Sequence, residues 1–268
     1  MFEYHKNKAL QLRYETYDMC CQSGTGHVTS SFSCVEILTT LYYSVMNYRH
    51  EEPDWEGRDY FVLSKGQASP ILYVTLSDCG FYPKDWLKTF CQEGGKFGVH
   101  LQYTVPGVEF TTGSLGQGLS YASGIAKSLK LDRKNNLVFT LLGDGECYEG
   151  QIWEAADFAA AHRLNNLVVL VDRNGICATD FTDNIIPLDN LAAKFSAFGW
   201  RVSTCDGHSF EALTTELQYI RSGHHSQPTC IIANTVKGKG IESICDDPSW
   251  HACCPNGNDI CKFREEIS

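Results

Sequence analysis

Residues 137–175, LVFTLLGDGECYEGQIWEAADFAAAHRLNNLVVLVDRNG, constrain the fold more than any other stretch. Leu137–Leu142 is an apolar run broken only by Thr140, as expected of a strand buried on both faces. Gly143-Asp144-Gly145 then forces a turn, with glycines flanking an acid where the strand must end. From Gln151 to about His162, Ile152, Ala155, Ala156, Ala159 and Ala160 keep to one helical stripe. A second apolar run, Leu167–Val171, closes on Asp172-Arg173-Asn174-Gly175. Strand, helix and strand at this spacing predict a βαβ unit with a right-handed crossover.

The unit has a chemical consequence. If its strands are parallel, Asp144 and Asn174 both stand at carboxyl ends, the edge where open α/β sheets bind ligands. A carboxylate, a carboxamide oxygen and a nearby backbone carbonyl form part of an all-oxygen site for a hard cation such as Mg2+ or Ca2+. Magnesium commonly completes its shell with water and a diphosphate. Asp-Gly and Asn-Gly are also common loop dipeptides, so an ordinary βαβ turn is the simpler alternative for this motif alone.

The rest of the chain extends the alternation. Leu10, Tyr14, Tyr17 and Cys21 predict an amphipathic helix ending near Ser23-Gly24. After the loop Gly24-Thr25-Gly26-His27, a second helix is expected to carry Phe32, Val35, Leu38, Leu41, Tyr42 and Val45, with Ser33-x-x-Glu36 as its capping box. Residues 60–64, 200–204 and 228–236 read as further strands, and 191–198 as a helix. Helices are also expected from Gly118 onward and up to about Cys79. The fold class expected is therefore α/β, a mostly parallel sheet with helices on both faces, as a single domain over 1–268.

Composition excludes several functions. A net charge of −10 argues against a nucleic-acid binder. The opening MFEYHKNKALQLRYE is too polar for a signal peptide, and no apolar run approaches a membrane span. The 13 cysteines are odd in number and form no Cys-x-x-Cys, so they read as small buried residues in a reducing, cytoplasmic setting. His251, Cys253, Cys254 and Cys261 are the one combination to weigh as a zinc site, at a spacing that fits no usual pattern. No Gly-x-Gly-x-x-Gly or Walker motif follows any strand. Lys237-Gly238-Lys239-Gly240 lacks the Walker spacing of a phosphate loop.

Five stretches in order, SGTGH at 23–27, SKGQ at 64–67, PGVEFTTGSLGQG at 106–118, GDG with its later Asn, and ANTVKGKG at 233–240, resemble the transketolase family of thiamin diphosphate enzymes. That resemblance implies the thiamin-diphosphate-binding fold. It implies that Asp144, Asn174 and the Ile176 carbonyl hold Mg2+ or Ca2+, and that Gly145 lies against the diphosphate. Gly113 and Leu115 become cofactor contacts, and His27, His100 and His251 become histidines facing substrate or cofactor. Glu149, more than Glu154, becomes an acid linking paired active sites and touching the cofactor region. Simpler readings exist for several of these: a solvated loop histidine, a small-residue packing helix after Gly118, and an acid favoured by a helix dipole. The chain departs from the family at Gln67, where histidine is usual. Glutamine donates a hydrogen bond but carries no charge, which implies a non-standard substrate.

The resemblance also implies a partner. The family's cofactor is activated by a glutamate on a pyrimidine-binding domain, for which no stretch of 1–268 is available. A separate C-terminal transketolase subunit is therefore expected, in an α2β2 heterotetramer transferring a two-carbon ketol unit between sugars or sugar phosphates. The alternatives are a non-catalytic scaffold or regulator of the same fold, the α chain of a 2-oxoacid dehydrogenase, and a deoxyxylulose phosphate synthase relative.

Overall fold

Five strands, β1 (Tyr60–Leu63), β2 (Val138–Gly143), β3 (Leu167–Arg173), β4 (Arg201–Asp206) and β5 (Thr229–Asn234), form one sheet in the order β1-β2-β3-β5-β4. Every neighbouring pair is parallel. The computed structural model describes residues 2–188, 190–223 and 225–268, leaving Met1, Asp189 and His224 outside the described residues. The helices are α1 (Glu3–Ser23), α2 (Val28–Phe32), α3 (Val35–Thr40), α4 (Ser69–Asp78) and α5 (Gly118–Leu131). They continue with α6 (Gly150–Ala161), α7 (Thr182–Ile185), α8 (Leu191–Ala197), α9 (Phe210–Arg221) and α10 (Asp259–Glu266).

Alternation along the strands sorts the core into two layers. Phe61, Leu63, Phe139, Leu141, Leu170 and Ile231 pack with residues of α1, α3, α4 and α9 on one face. Val62, Val138, Leu142, Val169, Val171 and Ile232 pack with α5, α6 and α8 on the other. Because both faces are covered, the strands carry apolar residues at consecutive positions, which is why they read as continuous runs. The α/β architecture expected from the sequence is the one observed.

Two local expectations are corrected. The stripe Leu10, Tyr14, Tyr17 and Cys21 is not the most buried face of α1: Ala9, Leu12, Arg13, Thr16, Tyr17, Met19 and Cys20 are. Arg13 is buried because its guanidinium meets Glu36 at 2.6 Å and donates to the Lys239 carbonyl at 3.1 Å. Hydrophobic periodicity cannot register a buried ion pair. The helix expected through residues 32–45 is broken between α2 and α3, and ends in a wide turn over Leu41–Val45. Ser33 is no cap: its hydroxyl donates to the Ser30 carbonyl and to Asp172 Oδ2 at 2.6 Å, while Glu36 turns to Arg13. His208 is structural, its Nε2 accepting from Val236 N at 2.8 Å and its Nδ1 facing Glu36 at 2.9 Å.

Candidate active site at the carboxyl edge

Parallel strands put their carboxyl ends side by side, and the turns leaving β1, β2, β3 and β5 surround one cavity of about 250 Å3. Asp144 starts the turn after β2 and is 2% exposed. Its Oδ1 accepts from Gly145 N at 2.8 Å, and its Oδ2 accepts from Gly175 N, in the turn after β3, at 2.6 Å. Asn174 Oδ1 accepts from Ile176 N at 3.1 Å. The Asp144–Gly175 bond ties the two turns together, and Asp144, Asn174 and Ile176 all line the cavity.

Cations complete the floor. Lys65, after β1, pairs with fully buried Asp172, which also accepts from Ser33 and Thr235. Burial opposes both charges, yet the pairing prevails, holding the Asp172 carboxyl below its ordinary range and the Lys65 ammonium above its own. Lys237, after β5, is 2% exposed and makes no ion pair among the described residues. Its Nζ donates to the Ile176 carbonyl at 3.2 Å and to His251 Nδ1 at 2.6 Å. Burial, followed by repulsion from Lys65, pulls its pKa down to about 8. Burial raises the Asp144 carboxyl to about 6 against the two backbone donors that oppose it.

Three predicted histidines gather at one side. The His27 ring centroid lies 6.0 Å from that of His100 and 5.7 Å from that of His251. Burial first, then neighbouring positive groups, lowers His27 to about 4 and His251 to about 3, so both are neutral bases at ordinary pH. His27 Nδ1 is buried without a partner among the described residues. Gly113 packs against His100 so tightly that a Cβ there would stand 2.9 Å from the imidazole Cγ. Gln67 Nε2 donates to the Gly113 carbonyl at 3.2 Å, and Gln67, Leu115 and Gly145 line the cavity.

Glu149 is placed elsewhere. It is exposed at the start of α6 and does not line the cavity. Glu146, three residues earlier, is 1% exposed and does. Glu146, Asp172, Lys65 and Lys237 are site residues that the sequence motifs do not single out. The available signal is position: each lies at or just beyond a strand's carboxyl end, including the lysine of the KGKG stretch that lacks Walker spacing. Among the described residues no cluster of three histidine, cysteine or acidic side chains forms a metal site, so the four-residue zinc combination does not assemble. Cys253 and Cys261 are exposed, and all 13 cysteines are unpaired.

The residues fit a cation bridged to an anion. The donor set is one carboxylate, one carboxamide and one carbonyl, all hard oxygens, beside a buried ammonium with no carboxylate of its own. Such a donor set at the carboxyl edge of an open α/β sheet suits a diphosphate ligand. Residues 4–267 match the family described as transketolase, thiamine diphosphate binding domain. The chain belongs to the transketolase family, on the side of its diphosphate-binding, N-terminal half.

It is 39% identical over 237 residues to the 6-deoxy-6-sulfo-D-fructose transketolase subunit of Clostridium sp. (strain MSTE9), covering 88% of this chain and 86% of that one. It is 36% identical over 263 residues to an apulose-4-phosphate transketolase subunit from Actinobacillus succinogenes, covering 98% and 94%. The solved transketolase of Campylobacter jejuni superposes with a TM-score of 0.90 at 30% identity, over 98% of this chain but 42% of that one. Members of the family named in these comparisons are transferases, and those of this length are named as subunits.

Proposed function

We propose that this chain is the diphosphate-binding subunit of a two-chain, Mg2+-dependent transketolase, completed by a separate pyrimidine-binding subunit in an α2β2 assembly in the cytoplasm. The convergence of Asp144, Asn174, the Ile176 carbonyl and unpaired Lys237 in one cavity carries the reading. Bound thiamin diphosphate supplies the nucleophile through which such enzymes move a two-carbon ketol unit.

The chain's own residues then divide the remaining work. Asp144, Asn174 and the Ile176 carbonyl would hold the cation, and the Lys237 ammonium would neutralise phosphate charge. Gly145 lets that charge approach the backbone, and Gly113 and Leu115 cover the pocket. His27, His100 and His251 hydrogen-bond substrate hydroxyls; the Lys237 ammonium occupies His251 Nδ1, so His251 Nε2 is left to donate. Gln67, tethered by its amide NH2 to Gly113, has its carbonyl oxygen left to accept from a hydroxyl. It cannot gain charge there, so it selects substrate by hydrogen bonding alone. Glu149, outside the cavity and exposed, acts where chains meet. By name, two relatives use ketoses with a sulfonate or phosphate end, and a ketose with an anionic terminus is the donor class proposed here.

The test is calorimetry of thiamin diphosphate with Mg2+, on this chain alone and mixed with a pyrimidine-binding transketolase subunit. Binding is expected in the mixture and lost in Asp144→Ala. Absence of binding in both samples would sink the proposal and leave a non-catalytic scaffold as the reading.

A further inference from the structure

Three carboxylates are buried at the carboxyl edge, and among the described residues only Asp172 pairs with a cation. Asp172 is neutralised by Lys65, and Asp144 belongs to the oxygen cluster around Ile176. Glu146 is the third, 1% exposed, and makes no ion pair among the described residues. Its carboxylate is met by neutral donors from three separate segments. Oε1 accepts from the Ser64 hydroxyl, at the end of β1, and from Gly116 N at 2.9 Å. Oε2 accepts from Gly143 N, at the end of β2, at 3.1 Å. Ser64 Oγ in turn accepts from Gly118 N, the first residue of α5, at 3.1 Å.

Residues 112–117 form no regular structure, so their backbone donors must find partners outside the loop. Gly116 and Gly118 find theirs through this one side-chain network. The loop is seated closely: a Cβ on Gly118 would stand 2.5 Å from Ser64 Oγ, and Gly116, at φ +87°, would meet Glu149 Cβ at 2.8 Å. Leu115, next to Gly116, lines the cavity from this side, while Gly143 and Asp144 line it from the other.

We propose that Glu146 is a positioning residue that ties the glycine loop 112–118 to the metal-binding turn, so that both halves of the cofactor pocket hold one arrangement. The proposal rests on the reading that this pocket takes thiamin diphosphate. Removing the carboxylate frees the loop and the Gly143 amide at the last residue of β2, and leaves the ladder of β2 before Gly143 and of β3 in place. Glu146→Gln keeps the size, but its NH2 faces a donor whichever way the amide turns. Ser64→Ala cuts the bond to Gly118 from the other end.

The experiment compares wild-type chain with Glu146→Gln and Ser64→Ala by amide hydrogen exchange, and by thiamin diphosphate–Mg2+ calorimetry with the pyrimidine-binding subunit present. In both variants, exchange across 112–118 should rise about tenfold, as the loss of one hydrogen bond to a charged acceptor implies. Exchange in β2 up to Leu142 and in β3 should hold, and cofactor affinity should fall by a similar factor. Unchanged exchange in 112–118 in Glu146→Gln overturns the clamp. So does a rise shared equally by β2 and β3, which would make Glu146 a general stabiliser. If wild type itself binds no cofactor, the functional reading fails, while the exchange comparison still decides whether the clamp exists.

Discussion

Glu36 illustrates how a single buried charge can set the acid limit of this protein. It lies 6% exposed between Arg13 and His208, linking α1 and α3 to the turn after β4. Burial raises its carboxyl, but Arg13 and the His208 hydrogen bond outweigh that, and the net shift is downward. A carboxyl lowered in the folded state contributes stability at neutral pH that fades as pH falls through the folded value. Glu36→Gln should therefore cost about 3 kcal/mol at pH 7, because it leaves Arg13 buried and uncompensated. The gap to wild type should narrow below about pH 4, where unpaired glutamate protonates. Urea unfolding at the two pH values measures it, and a gap independent of pH would refute the assignment. At this scale the sequence was half legible. Asp144 and Asn174 stood out because they follow apolar runs and adjoin glycines. Glu146, Lys65 and Asp172 did not, because Glu146 meets Ser64 from 82 residues away and Lys65 meets Asp172 from 107, separations that no local pattern records.

Among the elements, β2 carries the one polar interruption in its run. Thr140 pairs in register with Val62 on β1 and Val169 on β3, on the face covered by α5 and α6. It is fully buried, and its hydroxyl has no partner among the described residues. Thr140→Val exchanges that hydroxyl for a methyl of similar size, so stability should rise by about 1 kcal/mol. A denaturant midpoint that stays put or falls would show that the hydroxyl is satisfied. The βαβ unit around this strand was readable because burial on both faces leaves an unambiguous apolar signature. The break between α2 and α3 was not. It is imposed by Ser33 bonding to Asp172, a residue whose proximity only the folded sheet creates.

For the whole molecule, the strand order β1-β2-β3-β5-β4 gathers every chemically committed turn on one edge, and that layout could be anticipated from parallel strands alone. Which strand neighbours which could not, since crossover lengths permit several orders. The consequence lies with Lys237, a buried ammonium whose partners among the described residues are neutral acceptors. A folded chain that keeps a positive charge away from water is less stable than it could be until an anion arrives. A ligand that binds only the folded form adds to its stability in proportion to the logarithm of its concentration. Supply of the vitamin should then govern how long this polypeptide survives proteolysis in a cell. In thiamin-starved cells its half-life should shorten at constant messenger level, and Lys237→Met should make that half-life insensitive to the vitamin. A pulse-chase measurement in replete and starved cultures would read both effects, and equal half-lives for the wild-type chain would refute the link.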